Sequence, residues 1–144
     1  MKYSDTGIKF TESFEGCRLE AYLDQGGIPT IGYGHIHGVK MGDKCTQEQA
    51  EQWLSDEVKN AEDAVNDLVQ VPLTQNQFDA LVDFVYNLGA GNFEKSTLLR
   101  RLNKGLYKEA SEQFALWNRA GGFVRDGLTR RRVAEKELFL REIP

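Results

Sequence analysis

From Thr46 to Leu68 the chain meets no glycine or proline, and Trp53, Leu54, Val58, Ala61, Val65 and Leu68 recur at the spacing of one helix face. Thr46 with Gln49 has the pattern of a capping box, and Pro72 ends the run. The pattern predicts a helix over 46–69. At about 1.5 Å per residue such a helix is about 36 Å long. In a chain of 144 residues that is long enough to join two lobes.

The two flanks of this helix differ in kind. Before it, residues 4–15 read as a short helix: Ser4 or Asp5 caps it, Ile8, Thr11 and Phe14 or Glu15 share a side, and Gly16 stops it. Residues 17–23 then alternate as a strand does. Gln25-Gly26-Gly27 supplies a turn, and Ile28–Tyr33 returns as a second strand. Pro29 confines this sheet to a small or edge-exposed one. After the long helix only helical periods appear. Thr74 and Gln77 form a second capping box ahead of Phe78, Leu81, Val82, Val85 and Tyr86, with Gly89 as the stop. Shorter helices are predicted at 93–103 and 107–117, closed by Lys104-Gly105 and Gly121-Gly122, and a last one at 129–140. The expectation is α+β: a hairpin lobe at about 1–45, a connecting helix at 46–70 and a helical lobe at 71–144.

The formal charge of −4 argues against general binding of nucleic acid. The charge is unevenly spread. Residues 1–99 hold 7 Lys/Arg against 16 Asp/Glu, and residues 100–144 hold 11 against 6. The basic end, Arg130–Arg132 included, reads either as a patch that meets an anionic polymer or as the solvated start of the last helix. No apolar run approaches the roughly 20 residues of a membrane span, and MKYSDTGIKF has no apolar core of a signal peptide. Without a signal, reduced thiols are expected at Cys17 and Cys45. The two cysteines and two histidines form no zinc pattern, so neither metal nor cofactor is expected.

Chemistry concentrates in EGCRLEAYLDQGGIPTIGYGH, residues 15–35. Cleaving a glycosidic bond usually takes two carboxyl groups, one to protonate the leaving oxygen and one to serve the other face of the sugar. Glu15 at a helix end and Asp24 before a Gly-rich turn are such a pair, with Thr30 on the returning strand. In Glu15, eight residues, Asp24, five residues, Thr30, followed by GYGH, the segment resembles the active-site signature of the phage-type lysozymes, glycoside hydrolase family 24.

That resemblance implies a lysozyme-like fold with a cleft between the two lobes. It implies a muramidase that cuts the β-1,4 bond between N-acetylmuramic acid and N-acetylglucosamine in peptidoglycan. Glu15 would be the general acid, and Asp24 with Thr30 would activate or orient the water. It gives His35 a structural role, paired with an acidic residue, and it makes Arg130 the candidate to reach over Glu15. Tyr86, Asn87, Ser96, Trp117 and Arg130 are candidate sugar contacts, as is Phe93, with core packing the competing role for Phe93 and Trp117. Such an enzyme would be a monomer without a stable membrane anchor. It would be made in the host cytoplasm and would reach the periplasm or wall through a holin.

Three rival readings remain. A lytic transglycosylase of the same fold needs an acid but no attacking water, so the presence of Asp24 and Thr30 weighs against it. A cysteine amidase would use Cys17 and His35 but has no third group. A catalytically decayed wall-binding module would not need Glu15, Asp24 and Thr30 intact.

Overall fold

A computed structural model describes residues 1–141. The elements are α1 Asp5–Glu15, β1 Arg18–Leu23, β2 Pro29–Gly32, α2 Gln47–Leu68, α3 Gln75–Leu88, α4 Ala90–Lys95, α5 Thr97–Asn103, α6 Tyr107–Ser111, β3 Arg119–Ala120, β4 Phe123–Val124 and α7 Asp126–Leu140. A 3-10 turn, Phe114–Leu116, lies between α6 and β3. The last three residues of the expected helical lobe, 142–144, lie outside the described residues.

The chain divides into two units, residues 8–59 on one side and residues 1–7 with 60–144 on the other. It passes between them twice, inside α1 and inside α2. The opening residues were expected with the hairpin, but specific bonds tie them to the helical unit. The Met1 ammonium donates to Asn66 Oδ1 at 2.9 Å, Asn66 Nδ2 returns a bond to Met1 O at 2.8 Å, and the Ser4 hydroxyl donates to Asp79 Oδ2.

In the unit 8–59, β1 and β2 form an antiparallel pair. Tyr22 faces Thr30 and Leu23 faces Pro29, and the register shifts before Arg18 faces Gly32. Across that shift β1 takes a second partner: Ala21 N donates to Asp43 O and Cys45 N to Leu19 O, both at 2.9 Å. Pro29 opens β2, where its missing N–H costs the ladder least. The first part of α2 covers this sheet. Ile31, Ala50, Leu54 and Val58 are buried at 1% exposure or less.

The helical unit is built around α3. Thr74 and Gln77 form the expected capping box in full. One face of α3 buries Phe78, Leu81, Val82 and Phe84 completely or nearly so. Phe84 is the hub, meeting Phe93, Phe114 and Trp117 edge-on with ring centroids 6.2, 5.4 and 5.8 Å away. Edge-to-face contact is the favoured geometry for such rings.

Four expectations fail here. The helix predicted at 93–103 is two helices, because Ser96 takes an extended backbone and caps α5 instead of continuing α4. The one predicted at 107–117 ends at Ser111 and gives way to the 3-10 turn. Gly121-Gly122, read as a helix stop, is the turn of the β3–β4 hairpin. Both glycines have positive φ, and Ala120 pairs with Phe123. The helix expected from 129 begins three residues earlier, at Asp126.

Candidate active site

Glu15, Asp24 and Thr30 all lie in the unit 8–59. Glu15 is the last residue of α1 and is half-buried. Gly16 ends that helix with a φ of +65°, and its N–H bonds back to Glu12 O at 3.1 Å. The GYGH segment passes beside Glu15. His35 exchanges two 2.9 Å backbone bonds with Ile31, folding the chain back so that Gly34 lies beside the Glu15 carboxylate. A Cβ on Gly34 would sit 3.5 Å from Glu15 Oε2.

Asp24 follows β1 and shapes the turn after it. Its Oδ1 accepts from Gly26 N at 2.8 Å and Ile28 N at 2.9 Å, an Asx-type turn that favours aspartate on local grounds. Oδ2 accepts no bond among the described residues. Thr30 is 4% exposed, and its hydroxyl donates to Ile28 O at 2.9 Å. That commits the proton of Thr30 but leaves its oxygen able to accept.

His35 does what its sequence context suggested. Nδ1 lies 2.5 Å from Glu57 Oε1, and the ring stacks on Trp53 with centroids 4.1 Å apart and 5° between planes. Cys17, two residues past Glu15, has its Sγ 3.7 Å from Gln47 Oε1. Both cysteines are free thiols. Burial, with Cys45 next in importance, pushes the Cys17 thiol above its ordinary value, so it is a poorer thiolate than a free cysteine. Among the described residues no group of three or more His, Cys, Asp or Glu is arranged to hold a metal ion, and no helix is long and apolar enough to cross a membrane.

The candidate sugar contacts all belong to the helical unit, and they divide. Tyr86 and Asn87 are half-buried, and Arg130 is exposed. Trp117 is half-buried and packs on Phe84. Ser96 corrects an expectation. It is 3% exposed, its hydroxyl donates to Phe93 O at 2.7 Å and accepts from Leu99 N at 3.0 Å, and it serves as a helix cap. Phe93 is fully buried in the aromatic cluster, which is the core role.

The basic run is corrected as well. Arg131 and Arg132 are 5% and 0% exposed and cannot form a surface patch. Arg131 grips Asp83 with two bonds of 2.9 and 2.8 Å. Arg132 Nε lies 2.6 Å from Glu135 Oε1, its Nη2 donates to Glu135 Oε2 at 3.0 Å and Asn87 Oδ1 at 2.8 Å, and its Nη1 donates to Trp117 O at 3.3 Å. Burial, then Asp83, pushes the Glu135 carboxyl well above its ordinary value, against the pull of Arg132 and Arg131. Sequence reasoning missed this network. One of its two acids, Asp83, was written in the apolar run of α3, which it interrupts, and the other, Glu135, lies on α7 itself.

The fold is lysozyme-like. A family model described as "Phage lysozyme" matches residues 12–135. The endolysin of Acyrthosiphon pisum secondary endosymbiont phage 1 is 43% identical over 143 residues, covering 96% of this chain and 98% of that protein. The muramidase domain of SpmX from Asticaccaulis excentricus superposes with a TM-score of 0.91 at 41% identity, covering 98% of this chain and 99% of that one. A P22 lysozyme mutant does so with a TM-score of 0.88 at 42% identity, with coverage of 98% and 99%. The chain belongs to the phage lysozyme family.

Proposed function

We propose that this protein is an endolysin muramidase. It hydrolyses the β-1,4 bond between N-acetylmuramic acid and N-acetylglucosamine, with Glu15 as general acid and Asp24, assisted by Thr30, orienting the water. The observation that carries the reading is the state of Asp24. Two backbone N–H groups hold one carboxylate oxygen, and the other is left for a water proton. Neutral donors fix the orientation of a carboxylate without pairing its charge to a cation, which suits a base. Thr30 keeps an acceptor oxygen beside the same turn, where it can accept a hydrogen bond from the second O–H of that water. Glu15 is the half-buried last residue of α1, with Gly34 beside its carboxylate, where an acid can reach a leaving oxygen.

The amidase reading loses support, because Cys17 is held toward its thiol form and His35 is committed to Glu57. In a cell the substrate is the glycan strand of the host wall. The enzyme acts there as a monomer once a holin or an equivalent lesion opens the membrane. The test is the reducing end of the products from purified peptidoglycan. A hemiacetal supports hydrolysis, and a 1,6-anhydro sugar means transglycosylation and sinks the role given to Asp24 and Thr30. Water attack from the face opposite the leaving group predicts inversion at the anomeric carbon.

A further inference from the structure

Residues 32–35, Gly-Tyr-Gly-His, are held one at a time. Gly32 lies on α2, where a Cβ would approach Ala50 Cβ to 3.1 Å and Trp53 Cε3 to 3.6 Å. Tyr33 is buried, and its hydroxyl accepts from Gln47 Nε2 at 2.8 Å and donates toward Glu12 Oε2 at 3.4 Å. Gly34, with a φ of +89°, faces the Glu15 carboxylate. His35 is stacked on Trp53 and bonded to Glu57. Ala50, Trp53 and Glu57 stand three and four positions apart, so they share one face of α2 and form a single seat for the loop. All of these residues belong to the unit 8–59.

We infer that Trp53 and Glu57 are positioning residues for Glu15, acting through His35 and the 32–35 loop. The inference rests on Glu15 being the acid proposed above. A glutamate in the last turn of a helix can swing through several rotamers, and the surface its carboxylate rests on decides where the proton is delivered. Gly34 forms part of that surface, and it has no side chain of its own to anchor it. Its position is set by its neighbours, and His35 is the one with strong partners. The stack on Trp53 fixes the plane of the imidazole, and the contact with Glu57 fixes its rotation within that plane. Loss of either lets Gly34 shift against Glu15. A misplacement of about 1 Å at a reacting group costs about 100-fold in rate.

The test compares turnover of purified peptidoglycan by equal amounts of folded protein. Trp53→Leu and Glu57→Ala should each lower kcat about tenfold, as a shift of about half an ångström would, with KM changed less than about twofold. Trp53→Phe and Glu57→Gln keep a flat ring or an acceptor and should recover most of the rate. The decisive arm repeats Trp53→Leu and Glu57→Ala in a Glu15→Gln background. Positioning residues that work through Glu15 should add no further loss to the residual rate. Losses that multiply, or conservative variants as damaged as the drastic ones, would overturn the inference. Should Trp53→Leu not fold, the two Glu57 variants carry the same comparison. Full activity of Glu57→Ala beside an inactive Glu15→Gln overturns the positioning role alone. Full activity of Glu15→Gln overturns the acid assignment and the positioning role together.

Discussion

The two units handle their carboxylates in opposite ways. In the helical unit Asp83 and Glu135 are fully buried, and each meets an arginine at 2.6–2.8 Å. In the unit 8–59 Asp24 is only half-buried and its charge is held by backbone N–H groups. Glu15 ends a helix against a glycine. A carboxylate gripped by a buried guanidinium is immobile and its acceptor oxygens are committed. One held by neutral donors at a surface keeps an oxygen for water. Charge pairing in a low-dielectric interior therefore makes structure, and its avoidance near solvent leaves room for chemistry.

The contrast breaks most easily at Glu15. Glu15→Gln keeps the shape but removes the transferable proton, and wall lysis should fall by about 10²–10⁴ with the thermal melt unchanged. A folded variant that clears cell-wall suspensions at the wild-type rate would end the assignment. In the helical unit the opposite split is expected. Arg132→Met leaves the buried Glu135 with only the more distant Arg131, 3.9 Å away, and should cost about 3–5 kcal/mol of unfolding free energy, read from urea midpoints. The neighbouring exposed Arg130→Gln should stay within about 0.5 kcal/mol. Equal effects at the two arginines would mean that burial does not separate them.

A subtler consequence follows from Glu135. Its carboxyl is raised chiefly by burial, so the folded protein holds that proton more tightly than the unfolded chain does. The stability it contributes is complete below the unfolded value of about 4.3 and is lost as pH rises toward the folded value. Glu135→Gln should flatten that decline in a series of urea melts. An unchanged slope would show that Arg131 and Arg132 keep the group ionised throughout. The smallest effect is expected at Cys17, where Cys17→Ser should leave most activity intact. Loss of lysis there, or on thiol alkylation of the wild type, would bring the amidase reading back.

What the sequence determined by itself is local. The capping box at Thr74 and Gln77, the stop at Gly16, the Asp24 turn and the long α2 all depend on groups within a few positions of one another. The spacing of Glu15, Asp24, Thr30 and GYGH was legible for the same reason, since it lies inside one helix end and one hairpin. Tertiary structure decided the rest. Ser96 reads as a candidate sugar contact until the buried Phe93 and Leu99 on either side turn it into a cap. The run Arg130–Arg132 looks basic and solvated until α7 packs on α3 and carries two of its three arginines inward. Glu135 is local, three positions from Arg132, but the other partners lie far away in the chain, Asp83 at 48 positions from Arg131 and Asn87 at 45 from Arg132. Desolvating a guanidinium is unfavourable unless such partners are in place, and no local pattern records where a distant carboxylate will be.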